Sequence, residues 1–239
     1  MTTSTDKKKF VQKTFATISG RYDFLNSLLS MRVDHYWRRV VTRQFRAVRQ
    51  GTLLDLCAGT LPLSLALAGN MPARRVVAVD FCREMLVQGW AAAARKMEIR
   101  QISPVCGDGE SLPLRDASVT GCTVAFGIRN LADPLQGLKE IVRVLQPGGK
   151  LVILEFSRPK NSVVKPVYGF YLNRVLPWVG GLLSGDPAAY KYLADSIGAF
   201  YEPAELAAMM EQAGFLQVSI RPLTFGIVTV YIGVKQQLA

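Results

Sequence analysis

Residues 51–60, Gly-Thr-Leu-Leu-Asp-Leu-Cys-Ala-Gly-Thr, carry an apolar run through Asp55 straight into a turn of small residues. A strand feeding such a turn brings main-chain N–H groups close to a ligand, because side chains larger than those of Ala58 and Gly59 would fill the space. About twenty residues after Thr60 a second strand, Arg75-Val-Val-Ala-Val, ends at Asp80. A carboxylate at that place can accept hydrogen bonds from both hydroxyls of an adenosine ribose. The pair calls for a parallel α/β sheet that presents a nucleoside at the carboxyl ends of its strands.

The rest of the chain fits that demand. From residue 52 strands and helices alternate, which implies βαβ units. Strands are predicted at 53–57, 76–80, 102–106, 119–126 and 151–155, with a closing hairpin at 216–222 and 226–234. The expected class is therefore α/β, a Rossmann-like, mostly parallel seven-stranded sheet. Asp133-Pro134 reads as an N-cap and first-turn pair. Leu135, Leu138, Ile141, Val142 and Leu145 then form an apolar stripe, which Pro147-Gly148-Gly149 stops. Leu206, Met209, Met210 and Ala213 mark another helix, closed by Gly214.

Two parts stand outside the sheet pattern. Residues 1–50 read as a helical cap, distinct from a domain over 51–239. In the cap, Val11, Phe15, Ile18 and Tyr22 recur at helical spacing, a second helix covers about 23–30, and a third covers 34–48. The third carries Trp37 with Arg38, Arg39, Arg43 and Arg46, either a solvated face or one that meets anionic lipid headgroups. An insertion at 157–201 crowds Tyr168, Phe170, Tyr171, Trp178 and Leu182 together, more than a parallel crossover needs. It is either a helical cap on the core or a lid whose apolar face receives a greasy substrate or dips into a membrane.

Charge narrows the partners. Twenty-nine Lys and Arg against 18 Asp and Glu give a net charge of +11, which favours an anionic partner. No basic patch interleaved with aromatics appears, so nucleic acid is not expected. The 49% hydrophobic content points instead to an acidic membrane surface. Cys57, Cys82, Cys106, Cys122 and His35 lack metal-like spacing, so no metal is expected, and reduced thiols suit a cytoplasmic protein. Residues 1–9 are polar and basic, unlike a signal peptide, and the apolar run 175–185 is too short to span a bilayer.

The turn itself separates two cofactor classes. A dinucleotide needs Gly-x-Gly-x-x-Gly to admit its pyrophosphate, whereas here Gly59 is followed by Leu61, Pro62 and Leu63. S-adenosylmethionine has no phosphates and fits better. The turn Gly107-Asp108-Gly109-Glu110 adds a carboxylate within reach of an adenine amino group.

Over nearly its whole length the chain resembles the C-methyltransferases of ubiquinone and menaquinone biosynthesis. The resemblance is carried by Phe15 to Asn26, Trp37-Arg-Arg, Val79-Asp-Phe, Gly107 to Pro113, Ala125-Phe-Gly-Ile-Arg-Asn130, Leu154-Glu-Phe-Ser157, Tyr192 to Ile197 and Leu223 to Val228. It implies a class I S-adenosylmethionine-dependent methyltransferase that methylates a ring carbon of a polyprenylated quinol. Thr60, Asp80, Asp108 and Gly109 would contact the cofactor, with Asp55, Gly59 and Phe81 completing that side. Arg129 and Asn130, at the end of the fourth strand, would hold the quinol oxyanion. Asp108, Asp23 or a water on Asn130 would take the proton. Alternatively Arg129 pairs with a carboxylate such as Asp133 and is structural.

Demethylmenaquinol is the preferred acceptor, and the methoxy-benzoquinol precursor of ubiquinone is the alternative. A non-catalytic membrane-surface protein of the same fold is a third reading. The resemblance also implies peripheral contact with the inner face of the membrane, and a homodimer stays open. Two departures stand out. Leu61-Pro62 replaces Gly-Asp, so Leu61 must take a backbone that glycine adopts freely, and Asp34 stands where the family often has His.

Overall fold

The structure is a computed structural model that describes residues 6–12, 14, 16–17, 30, 32–48, 50–70, 75–178 and 187–237. Its centre is a seven-stranded sheet in the order β3-β2-β1-β4-β5-β7-β6. The strands are β1 Thr52–Leu56, β2 Arg75–Asp80, β3 Ile102–Cys106, β4 Val119–Ala125, β5 Leu145–Phe156, β6 Phe215–Leu223 and β7 Val228–Lys235. The first five pair in parallel, and β7 runs antiparallel to both β5 and β6. The strand order turns back at β1, between β2 and β4, and a sheet of this kind binds ligands at such a switch point.

Both faces of the sheet are covered, so its central strands are apolar nearly throughout. Leu53, Val76, Val152 and Val230 pack on one face with Trp37, Val41, Phe45 and Leu67. Leu54, Val124, Ile153 and Tyr231 pack on the other with Leu138, Ile141, Leu206 and Met210. The helices are α1 Val33–Arg43, α2 Pro62–Asn70, α3 Arg83–Ala93, α4 Pro134–Val144, α5 Val164–Phe170, α6 Pro187–Ala199 and α7 Pro203–Ala213. Asp133 caps α4 as expected, its carboxylate accepting from the Gln136 amide at 3.0 Å. Gly214, at φ 109°, closes α7.

Local spacing mislaid two boundaries. The helix expected over 34–48 ends at Arg43, because the chain then tightens into turns that carry Phe45 fully into the core. Phe45 fills the space over Gly121, where even a Cβ would stand 2.5 Å from its ring. The fifth strand begins at Leu145 rather than 151, since Pro147-Gly148-Gly149 forms an irregularity inside the ladder and not a loop before it. Of the N-terminal helices, residues 6–12 are helical and Val11 is buried. Phe15, Ile18, Tyr22 and most of the second helix lie outside the described residues.

The turn after β1 is tightly wound. Cys57, Gly59 and Leu61 all have positive φ, at 57°, 53° and 67°. Leu61 is fully buried, and its amide donates to the Ala58 carbonyl at 2.9 Å. The left-handed conformation costs an L-residue roughly 1–2 kcal/mol. Removing a buried leucine side chain costs roughly 2–5 kcal/mol. Burial therefore outweighs strain at this position. Leu61→Gly is expected to relieve the backbone yet lower the unfolding free energy by about 1–4 kcal/mol in denaturant titration. An unchanged or raised stability would show that strain dominates.

Candidate active site

The carboxyl ends of β1, β2, β4 and β5 open into a cavity of about 580 Å³, whose far wall is the insertion after β5. That volume lies in the usual range for a ligand site. Ala58, Gly59, Thr60, Asp80 and Phe81 line one end. Asp80 organises this end: one carboxylate oxygen accepts the Gly59 amide and the other the Cys82 amide, each at 2.8 Å. A carboxylate has roughly four lone-pair positions, and the Phe81 amide also acts on this one, so acceptor capacity is left for a ligand hydroxyl. From behind, α3 brings Gly89 against the turn so closely that a Cβ there would lie 2.4 Å from the Thr60 carbonyl. No glycine spacing in the turn itself announces that contact.

Asp55 is fully buried one strand over, accepting from Ser64 Oγ at 2.6 Å and Thr123 Oγ1 at 2.9 Å. Burial pushes its pKa up to about 6 despite those bonds, and burial likewise raises Asp80 against its backbone donors. Among the described residues neither carboxylate is in a salt bridge. The other acids around the cavity are matched. Asp34 is paired with Arg38 at 3.4 Å, and Glu155 with Arg129 at 2.7 Å. This end of the cavity is thus suited to a cation.

Another part of the lining is aromatic and apolar. Trp37, Phe126 and Phe156 form a wall, with Phe126 and Phe156 centroids 4.5 Å apart and the Trp37 indole donating to Thr224 Oγ1 at 2.8 Å. Arg129 lies over the Phe156 ring at 5.6 Å. Its guanidinium bonds Glu155, the Phe126 carbonyl and Ser196 Oγ of α6. Asn130 Oδ1 accepts from the Tyr192 hydroxyl at 3.2 Å. From the insertion, Tyr168, Tyr171 and Leu176 close the chamber.

Several residues named from the sequence meet here, namely Asp55, Gly59, Thr60, Asp80, Phe81, Arg129 and Asn130. Asp108 and Gly109 do not line the cavity. Lys8 of the N-terminal segment bridges Asp108 and Glu110 at 2.7 and 2.8 Å, while Lys7 donates to the Arg129 and Leu131 carbonyls. Gly109 packs against Leu56 and Leu131. Asp23 lies outside the described residues. The partner of Arg129 is Glu155 rather than Asp133, which is occupied in capping α4. Trp37, Glu155 and Phe156 sat within recognisable strings without a role. The signal for the last two was an acid and an aromatic at the end of a buried strand. Cys57 lines the cavity and all four cysteines are free thiols, Cys106 an exposed one.

A doubly wound sheet of this order, with Asp80 at its second strand end and a cavity fit for a cationic nucleoside, defines a Rossmann-like S-adenosylmethionine-dependent methyltransferase. The chain belongs to the ubiE/COQ5 methyltransferase family, which it matches over residues 1–235. It is 43% identical to the ubiquinone/menaquinone biosynthesis C-methyltransferase UbiE of Geotalea uraniireducens, across 97% of this chain and 98% of that one. It is 42% identical to the demethylmenaquinone methyltransferase of Deinococcus radiodurans, across 97% and 95%. Solved structures share the fold at lower identity. A methyltransferase from Thermotoga maritima aligns with TM-score 0.66 and 19% identity, over 94% of this chain and 99% of that one. Another from Aquifex aeolicus aligns with TM-score 0.56 and 20% identity, over 82% and 88%.

The buried carboxylates should make cofactor binding pH-dependent in a definite direction. With burial raising Asp55 to about 6, its charge would favour the sulfonium above that pH, and protonation below it would remove that attraction. Affinity for S-adenosylmethionine is expected to be flat from pH 7 to 8 and to fall below pH 6 by up to about tenfold per pH unit. S-adenosylhomocysteine, whose sulfur is neutral, should lose less. Calorimetry with both ligands across pH 5–8 checks this, and parallel losses for the two would show that the carboxylates do not sense the sulfur's charge.

Proposed function

We infer that the protein methylates a ring carbon of a polyprenylated quinol, with demethylmenaquinol the acceptor and the methoxy-benzoquinol precursor of ubiquinone the second choice. The observation that carries this reading is one cavity lined both by the carboxylates of Asp55 and Asp80 and by the rings of Trp37, Phe126 and Phe156. S-adenosylmethionine, when bound, supplies a methyl group on a positively charged sulfur. Gly59, Thr60, Asp80 and Phe81 would hold its nucleoside. Asp55 favours its positive charge. Asp108 and Gly109 belong to the cofactor side only if Lys8 releases Asp108.

The quinol needs activation at its ring carbon. A phenolic hydroxyl that loses its proton, here to a water on Asn130, pushes electron density onto the neighbouring carbon, so the enzyme must stabilise an oxyanion and hold the carbon in line. The Phe156 and Trp37 rings orient the quinol plane, and Asn130 faces it beside Arg129. Incubation with methyl-labelled S-adenosylmethionine and the two reduced quinones side by side is the test. Label in the quinone fraction, greater with demethylmenaquinol, is expected. No transfer to either would overturn the reading.

The prenyl tail of such a substrate sits in a bilayer, and the chain's exposed apolar surface lies where it is needed. Val163, Val167, Phe170 and Trp178 of the insertion are 65 to 71% exposed, with Lys160, Lys165 and Arg174 exposed among them. Phe225 is 79% exposed, on a turn whose Gly226 lies near Pro159 at the root of the insertion. No helix among the described residues is long and apolar enough to cross a membrane. We assign this face to peripheral contact with acidic lipid. Co-sedimentation with vesicles rich in anionic lipid should weaken as salt shortens the Debye length from about 10 Å at 0.1 M to 3 Å at 1 M. Trp178→Ser with Phe225→Ser should weaken it further. Binding indifferent to both changes would remove the assignment.

A further inference from the structure

The turn after β4 presents Arg129 and Asn130 in succession, and α6 answers both. Tyr192 and Ser196 are four residues apart on that helix, which puts them on one face, a turn apart. Ser196 Oγ accepts from Arg129 Nε at 3.4 Å, and the Tyr192 hydroxyl donates to Asn130 Oδ1 at 3.2 Å. At the other end of the amide, Asn130 Nδ2 donates to the Phe126 carbonyl at 3.5 Å. The two partners agree on which way the amide points. A carbonyl can only accept, so it takes the Nδ2 end and leaves the oxygen to the hydroxyl. That hydroxyl stays protonated, since burial raises its pKa, with Arg129 pulling it down and Glu155 adding to the rise. The N-terminal segment braces the same place. The Phe10 ring meets the Tyr192 ring edge-on, centroids 5.3 Å apart, and Lys7, one turn earlier, donates to the carbonyls of Arg129 and Leu131 on either side of Asn130.

We propose that Tyr192 is a positioning residue, whose hydroxyl fixes the Asn130 amide so that its free donor and free acceptor meet the quinol oxygen in set places. The inference rests on the quinol reading given above. A side-chain amide has two N–H groups and two acceptor lone pairs. Phe126 takes one N–H and Tyr192 one lone pair, while Asn130 lines the cavity and is only half-buried. The remaining N–H steadies the oxygen that loses its proton, and the remaining lone pair holds the water that receives it. Without the hydroxyl the amide is free to turn over, exchanging donor for acceptor. An acceptor set against a developing oxyanion opposes its formation. A correctly turned dipole matters here because the charge of Arg129 is balanced by Glu155 at 2.7 Å.

The test is a double-mutant cycle in the full chain, Tyr192→Phe with Asn130→Ala, assayed with labelled S-adenosylmethionine and reduced demethylmenaquinone. Tyr192→Phe keeps the ring and its Phe10 contact and removes only the hydroxyl. Its kcat should fall about tenfold, with the quinol KM and the calorimetric affinity for S-adenosylhomocysteine little changed. In the Asn130→Ala background the same change should cost nothing more, because the hydroxyl acts only through the amide. With the parent active, three results overturn the inference alone: an unchanged kcat in Tyr192→Phe, a loss confined to KM or cofactor affinity, or an equal loss with and without the Asn130 amide. A lowered melting temperature with weakened cofactor binding in Tyr192→Phe also overturns it, by showing a structural role. A parent inactive on both quinols overturns the quinol reading and this inference together.

Discussion

The ion pair between Arg129 and Glu155 is the contact on which the geometry of the substrate end depends. Both side chains are almost wholly withdrawn from water, 3% and 0% exposed, and their polar atoms meet at 2.7 Å. Desolvation of two charges offsets most of the Coulombic gain, so the pair adds little net stability over a hydrophobic equivalent. Breaking it is another matter: a lone buried charge costs roughly 3–5 kcal/mol. Burial already raises the Glu155 pKa, and Arg129 is the largest influence opposing that rise. What the pair contributes is position. Arg129 is reached from the turn after β4, Glu155 from β5, and Ser196 from α6 of the insertion. One guanidinium therefore ties the insertion to the strand ends beside the chamber.

The same balance divides the labour of the site. At the substrate end the charges of Arg129 and Glu155 cancel locally. At the cofactor end Asp55 and Asp80 have no bonded cation among the described residues, and both are held by fixed donors. A carboxylate whose own donors cannot fully offset its desolvation gains most from a bound cation. The sulfonium would sit between the two regions, attracted from one side and released toward a developing oxyanion on the other.

Much of this arrangement was legible in local sequence, and the reasons are physical. The strand through Asp55 and its turn, Asp80 at the next strand end, and the Asp133-Pro134 cap each follow from spacing over a few residues. The positive φ of Leu61 was legible only through the resemblance, because the family commonly has glycine at that place. Glu155 was not, because its partner is 26 residues away and the nearer acid, Asp133, looked equally suitable. Nor was Lys8 against Asp108, across 100 residues, which takes that carboxylate off the cavity wall. Arg38 read as part of a basic helical face with Arg39, Arg43 and Arg46. Those three are exposed, whereas Arg38 turns inward to Asp34 and lines the cavity. A periodic pattern tells which face a residue occupies, but not which carboxylate waits across the fold.

The insertion after β5 shows why an apolar segment should not be assigned wholly to core or to surface. Over 163–178 it places Tyr168 and Leu176 inward, 8% and 4% exposed, and Val163, Val167, Phe170 and Trp178 outward. The helical stretch from α5 includes a π-helical turn over Tyr171–Val175, an irregularity common at functional sites because it re-aims side chains without ending the helix. A wall of one helix thickness thus separates the chamber from the proposed lipid face. Val163 and Val167 both line the cavity and reach solvent. A prenyl tail leaving the chamber along those two valines would pass from apolar wall to apolar surface beside the exposed Lys165. Ring recognition inside and membrane contact outside would then be two faces of one short helix.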